Sequence, residues 1–202
     1  MSGLLVLAPM HVEAAAVRGR RRVLRTGMGP RNAWIAAARA QAIDATAVAV
    51  AGICAGVAPE LATGDLVCAS ELRFPDGTVL EVAAAGELAA ALRHQGLRVH
   101  VGPLLSLDHI AGARERESLR GTGALALDME SAWLAAAAAG RPFAVVRAVA
   151  DAAGRQLVDP RFGTDIVKAL VSLRRAVPGL DAWAYAAPWR FALEAPMDTV
   201  RV

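Results

Sequence analysis

Lysine is all but missing from this 202-residue chain: Lys168 is the only one, and arginine supplies the rest of the 22 basic residues. Set against 19 acidic residues, that leaves a formal net charge of only +3, so the sequence pI of about 9.5 owes much to arginine's high pKa. Aromatic residues make up 4% of the chain, which leaves Ala, Val and Leu to fill the core. No Lys/Arg run is interleaved with aromatics, as a groove for single-stranded nucleic acid would require, so no nucleic-acid partner is expected. The densest basic cluster, Arg18-Gly-Arg-Arg-Arg22, reads equally well as a solvated turn or as an anion site.

Cysteine is scarce too. Cys54 and Cys68 are the only two, both in apolar, strand-like surroundings, which fits buried free thiols in a reducing cytoplasm better than a disulfide framework. Their spacing matches no zinc motif, and no metal or other cofactor is expected. The longest uncharged run, 45–59, is interrupted by Gly52, Gly56 and Pro59 and falls short of the roughly 20 residues a membrane span needs. Residues 1–8 lack the basic start and the length of a signal peptide. The expectation is a soluble, cytoplasmic protein with no integral membrane segment.

What the chain does have is 55% hydrophobic and 20% charged residues, enough for one globular domain with a sizeable core. The order of elements reads as α/β: a single domain built on a twisted mixed β-sheet flanked by helices. Strands are expected at 4–8, 22–26, 45–51, 65–70, 97–105, 125–127 and 143–150, and a hairpin at 73–82 turning on Asp76-Gly77. Helices are expected at 10–17, 32–43 with Asn32 as N-cap, 87–95, 110–120 at the mouth of a site, and 163–175. Residues 52–56 read as a glycine-containing loop after the strand at 45–51. A domain of 1–180 is followed by an aromatic tail, 181–202, carrying Trp183, Tyr185, Trp189 and Phe191; a flap, a dimer contact and a lipid-facing patch are open to it, and packing on its own domain is the preferred reading.

The acidic residues carry the functional signal. The apolar stretch 125–127 runs directly into Asp128-Met-Glu130, and the stretch 143–150 ends on Asp151. Ligands of open α/β sheets bind outside the carboxyl ends of the strands, so two strands delivering carboxylates there point to a site for a polar small molecule. Any one of these acids alone would read as a helix cap or the start of a loop. Both together, in these flanks, do not.

The ordered series Ala8-Pro-Met-His-Val-Glu13, Gly27-Met-Gly-Pro30, Gly52-Ile-Cys-Ala-Gly-Val-Ala-Pro59, Gly64-Asp-Leu-Val67, Ser106-Leu-Asp108, Asp128-Met-Glu130 and Arg147-Ala-Val-Ala-Asp151 resembles the purine nucleoside phosphorylase superfamily. Within it, the series is similar to the nucleosidase branch typified by methylthioadenosine/S-adenosylhomocysteine nucleosidase. The resemblance covers 4–151, and the Met-Glu followed by Arg-Ala-x-x-Asp is its most specific part. It implies hydrolysis of an N-glycosidic bond in a nucleoside, through a ribosyl cation-like transition state, by a homodimer without metal. Position by position, Asp151 resembles the acid that protonates purine N7. Glu130 resembles the carboxylate that grips the ribose hydroxyls beside Met129, and Glu13 the group that orients and deprotonates water. Gly52, Asp128 and Arg147, members of the same motifs, are placed in substrate binding. The chemistry suits the residue types: a carboxylate accepts two hydroxyl hydrogen bonds that tighten as the ring turns cationic, and a desolvated carboxyl stays an acid near neutrality.

The departures from the pattern carry information of their own. The loop around Gly52 holds Ile53 and Cys54 and neither arginine nor serine, which favours water over phosphate as the nucleophile. Arg31 is the one residue that would restore a phosphorylase. Ile110 stands where the family tends to place an aromatic under the purine, leaving stacking to Trp133 or the tail. His11 and His109 lie beside motif residues and are further candidates for ligand contact. The segment 73–97 is shorter than usual, which opens the 5′-end of the site; Arg25-Thr-Gly-Met-Gly-Pro30, the glycine loop and the Trp- and Pro-rich tail resemble the members that act in hopanoid biosynthesis on adenosylhopane. Futalosine hydrolase is a neighbouring possibility. A phosphate-dependent phosphorylase and a non-catalytic nucleoside-binding protein of the same fold are the alternatives, the second opposed by the presence of Glu13, Glu130 and Asp151 together.

Overall fold

The first strand, β1 (Leu4–Ala8), is apolar at every position because both its faces are covered: Leu4, Val6 and Ala8 belong to one core cluster, Leu5 and Leu7 to another. The computed structural model describes residues 3–151 and 162–194, with side chains throughout except at 162 and 188–194. The elements follow in the order α1 (His11–Ala16), β2 (Arg22–Arg25), α2 (Pro30–Gln41), β3 (Ala47–Gly56), β4 (Leu66–Arg73), β5 (Val79–Glu81) and α3 (Ala85–His94). Then come β6 (Val99–Ser106), α4 (Ala113–Leu119), β7 (Ala126–Asp128), α5 (Ser131–Leu134), β8 (Phe143–Asp151), α6 (Phe162–Arg175) and α7 (Val177–Glu194).

The sheet is mixed. β2, β1, β3 and β8 run parallel, β4 is antiparallel to β8 and parallel to β6, and β6 is parallel to β7. β7 then returns antiparallel to the end of β3, through Ala55 opposite Leu127 and Gly56 opposite Ala126. The ring β3-β8-β4-β6-β7 therefore closes on itself, with β2-β1 and β5 as extensions. Helices α3, α6 and α7 supply one core face, through Leu88, Leu92, Leu173, Leu180 and Trp183. Helices α2 and α5 supply the other, through Ala33, Ala36, Ala37, Ala40 and Leu134.

Three expectations change. The stretch 52–56 is not a loop but the second half of β3, because β8 pairs along one side of it and β7 along the other. The N-cap of α2 is Gly29, at φ 82°, followed by Pro30; Asn32 lies inside the helix, its amide donating to the Met28 carbonyl at 2.7 Å. The two acidic strands do not deliver their carboxylates to one carboxyl edge, since β7 runs against β3. Asp151 and Leu127 instead flank Ala55 from its two sides, so the carboxylates meet across the end of β3.

Helix α7 runs unbroken across position 181, and Trp183, Ala184 and Ala187 from it are buried in the core while Tyr185 is exposed. The side chains of Trp189 and Phe191, and residues 195–202, lie outside the described residues. No helix among the described residues is long and apolar enough to cross a membrane.

Candidate active site

Pro9 and Met10 carry the chain from β1 into α1, and this short link seats Glu13 in the first turn, 1% exposed. The Met10 N–H donates to one carboxylate oxygen of Glu13 at 2.6 Å and the Ile53 N–H to the other at 2.7 Å. Burial pushes the Glu13 carboxyl above its ordinary range, against the opposing pull of the Arg147 guanidinium and those two N–H groups. A carboxylate fixed by two backbone donors and made more basic by desolvation is equipped to orient a water and take its proton.

Behind Glu13 lies Arg147, the largest fully buried side chain among the described residues. Its guanidinium pairs with Asp128 at 2.6 Å and donates to Ser131 Oγ at 3.0 Å. Gly52 is glycine for a steric reason: a Cβ there would collide with the Arg147 guanidinium and the Glu13 carboxylate. Asp128 is held as firmly, accepting from the Ser106 hydroxyl at 2.5 Å and the Ser131 N–H at 3.2 Å. Burial opposes the charge on Arg147, but Asp128, Glu130 and Glu13 more than offset it, and its pKa rises above the usual arginine value. Gly52 and Arg147, expected to touch substrate, thus stand behind the cleft wall and brace it.

Glu130 follows β7 and reaches across to α2. Its Oε1 accepts the Gly29 N–H at 2.9 Å, at the helix N-terminus, and its Oε2 lies 3.5 Å from Arg147. Desolvation raises its pKa to about 7, countered by Arg147 and reinforced by Asp128. Asp151 closes β8 beside a bulge. Cys54 pairs with Val149 and Ala55 with Asp151, so Ala150 is the extra residue. Because of that bulge Ala150 and Asp151, which a regular strand would turn to opposite faces, both line the cleft. Arg116 of α4 pairs with Asp151 at 2.5 Å, both residues being buried.

These groups converge on a cleft of about 310 Å³. Glu13, Asp128, Glu130 and Asp151 supply its acids, and Met10, Met28, Ile53, Leu107, Met129 and Ile166 much of its apolar wall. Cys54 also lines it, but burial pushes the thiol up, so it stays protonated and is no nucleophile. His109 stands exposed at the rim, bonded to Asp108 at 2.7 Å and Glu115 at 2.8 Å, and those carboxylates raise its pKa. Ile110 is also at the rim, 63% exposed. His11 and Arg31 are exposed and line no part of the cleft. Trp133, the suggested stacking partner, is turned away and meets Phe74 edge to face at 5.5 Å. No Phe, Tyr or Trp side chain lines the cleft among the described residues, which leaves Met and aliphatic groups as most of its apolar wall. No group of three or more His, Cys, Asp or Glu among those residues is placed to hold a metal ion.

The sequence reading missed Arg116, whose segment Ala-Arg-Glu-Arg-Glu-Ser-Leu looks like any solvated helix. It also missed the bracing roles of Ser106 and Ser131. The Ser106-Leu-Asp108 motif pointed toward the first, and the second directly follows Asp128-Met-Glu130.

Residues 13–173 match the family model of the phosphorylase superfamily. No curated protein matches the chain in sequence. Among solved structures, the Campylobacter jejuni 5′-methylthioadenosine/S-adenosylhomocysteine nucleosidase is similar, with TM-score 0.74 and 17% identity over 89% of this chain and 98% of that one. The Helicobacter pylori enzyme of that name, solved with butyl-thio-DADMe-Immucillin-A, gives 0.72 and 18% over 91% and 97%. The Neisseria meningitidis enzyme, solved with methylthio-immucillin-A, gives 0.69 and 20% over 90% and 97%. At these identities the likeness establishes the fold.

Proposed function

Because the chain belongs to the phosphorylase superfamily, we propose that it is a purine nucleosidase that hydrolyses the N-glycosidic bond of a 5′-substituted nucleoside and releases adenine or a related purine. The observation that carries this is the convergence of Glu13, Glu130 and Asp151 in one cleft from three distant parts of the chain. Glu130, held at the α2 N-terminus, grips the ribose 2′- and 3′-hydroxyls. Glu13 orients water at the anomeric carbon and accepts its proton. Asp151 passes a proton to N7 as the glycosidic bond breaks and its electron pair goes to N9, so the base leaves neutral. Met129 packs beside the sugar.

Water is favoured over phosphate by charge. Four carboxyl groups line the cleft, while Arg116 pairs with Asp151 and, behind the wall, Arg147 pairs with Asp128 and Glu130. A phosphate dianion would enter a site already acidic and poor in free donors. Arg31, the residue that would have supported a phosphorylase, is exposed on α2. At the open end, Met28 and Ile110 line the cleft yet remain 49% and 63% exposed, which supports an apolar 5′-group such as that of adenosylhopane. The exposed Trp34 and Ile35 on the outer face of α2 support a homodimer, and the free buried cysteines fit a reducing cytoplasm.

The test is base release from a panel of 5′-substituted adenosines, with and without phosphate. Free sugar at a rate independent of phosphate is the expected outcome. A rate saturating in phosphate, with sugar 1-phosphate as product, would overturn the hydrolytic reading.

A further inference from the structure

We infer that Asp128 is a positioning residue: by taking up the Arg147 guanidinium, it leaves the carboxylate of Glu130 for the sugar and that of Glu13 for water. The inference rests on the roles proposed above for those two acids. Asp128 borders the cleft, yet its side chain is 1% exposed and engaged with protein through both oxygens. Oδ1 accepts from the Ser106 hydroxyl at 2.5 Å and from the Glu130 and Ser131 N–H groups, each at 3.3 Å. Oδ2 pairs with Arg147 Nη2 at 2.6 Å and accepts from the Ser131 N–H at 3.2 Å. A carboxylate offers about four acceptor positions. These contacts occupy them, and none remains for a ribose hydroxyl.

The guanidinium is engaged as fully. Beyond Asp128, Nη2 donates to Ser131 Oγ at 3.0 Å, Nε to the same oxygen at 3.1 Å, and Nη1 to the Ile53 carbonyl at 3.4 Å. Glu130 Oε2 is the outlying neighbour, 3.5 Å from Nη2, while Glu130 Oε1 takes the Gly29 N–H. Glu13 is near as well, since it and Arg147 would both meet a Cβ on Gly52, but its oxygens are held by the N–H groups of Met10 and Ile53. Two acids therefore stand beside a buried cation without closing on it. Competition explains this. A charge pair attracts far more strongly in a desolvated wall than in water, so a guanidinium without Asp128 would close on Glu130. Two parallel N–H···O bonds would then occupy the oxygens that the ribose hydroxyls need.

The order of residues builds this arrangement. Asp128 ends β7 opposite Ser106 of β6, and the chain turns there into α5, so that the N–H groups of Glu130 and Ser131 fold back onto the Asp128 carboxylate. Asp128 is thereby fixed from the sheet and from the start of the helix. Glu130, two residues on, is left to reach across to α2. The charged and titratable groups that bear on Arg147 are Asp128, Glu130, Glu13 of α1 and Cys54 of β3. How that one guanidinium is shared among the three acids decides which of them can meet substrate.

Asp128→Asn keeps the shape of the side chain and removes its charge. In a crystal structure of that variant without ligand, Arg147 Nη2 should stand about 2.8 Å from Glu130 Oε2, against 3.5 Å here. An unchanged separation overturns the inference, whatever the activity. With methylthioadenosine, KM should rise about tenfold, the scale of one charge-assisted hydrogen bond lost. The acid limb of kcat/KM against pH should also move down by about one unit, because Glu13 and Glu130 lose an adjacent negative charge. A merely structural defect would lower kcat/KM at every pH and leave the limb in place. When Arg147→Gln is added to Asp128→Asn, no cation remains to claim Glu130, and KM should return to within about twofold of the original while turnover stays low. This double variant also removes the guanidinium left unpaired, so it carries the test should Asp128→Asn not fold. A KM still raised in it would show that Asp128 holds the sugar itself. If the original chain releases no base from any 5′-substituted adenosine, the proposed function fails, and the distance between Arg147 and Glu130 in Asp128→Asn still decides the inference.

Discussion

Glu13 receives two backbone N–H groups that hold its carboxylate in place, whereas Asp151 pairs with the Arg116 side chain. A carboxylate fixed by backbone donors suits the proposed base, which must aim a water. Glu13→Gln and Asp151→Asn should each fold normally and lose at least ~10²-fold in turnover, the scale of general acid–base help. Single-turnover base release checks this, and full turnover in either variant would remove that residue from the mechanism. Glu130 supplies a prediction in stability. Its folded pKa of about 7 lies above the ordinary 4.5, so the folded chain binds the extra proton between those values. Stability from this group is therefore complete below pH 4.5, falls as pH rises toward 7, and is flat beyond. Thermal unfolding of Glu130→Gln should show a shallower loss across that window than the parent chain. Equal slopes would mean that Glu130 is ionised throughout.

At the scale of elements, the sequence was legible wherever burial alone decides structure. β1 and β8 read as strands because a sheet covered on both faces leaves only apolar choices, and their bounds came within a residue of those observed. The second half of β3 was not legible. Gly52 and Gly56 look like a loop in one dimension, and the reason for Gly52 is a guanidinium placed 95 positions later in the chain, by Arg147. Arg116 was hidden for a related reason: nothing local distinguishes it from Arg114 or Arg120, and only the fold brings it to Asp151. Asp128 and Asp151 stood out because residue type and strand end coincide in the sequence itself, whereas Glu13, in α1, drew notice only through the resemblance. Helix α7 gives this scale its prediction. Trp183 is buried against α3 and the sheet, and its indole N–H has no partner among the described residues. Trp183→Ala should cost about 3–5 kcal/mol of unfolding free energy, and Trp183→Phe less than about 1.5, since no hydrogen bond is forfeited. Denaturant titration separates the two. Similar losses would mean that the N–H is bonded after all, through a water.

The whole molecule sets the remaining problem, which is how a cleft of about 310 Å³ accommodates its substrate. That space suits a nucleoside better than a nucleoside with a large 5′-group, so on the proposed function a large substituent would pass through the mouth. The mouth is bounded by Met28 and Ile110, both strongly exposed. Large exposed apolar side chains beside a site cost little in a monomer but become favourable once an apolar group covers them, at about 0.8 kcal/mol for each buried methylene. A lipid-like 5′-substituent would then contribute much of the affinity while the chemistry stays at the anomeric carbon. In competition at equal concentration, adenosine bearing a bulky apolar 5′-group, such as adenosylhopane, should therefore be consumed faster than methylthioadenosine. Replacing Ile110 with Ser should narrow the difference by lowering kcat/KM for the bulky substrate alone. Faster consumption of methylthioadenosine would place the 5′-group inside the cleft, and Met28 and Ile110 would then be surface residues with no part in choosing the substrate.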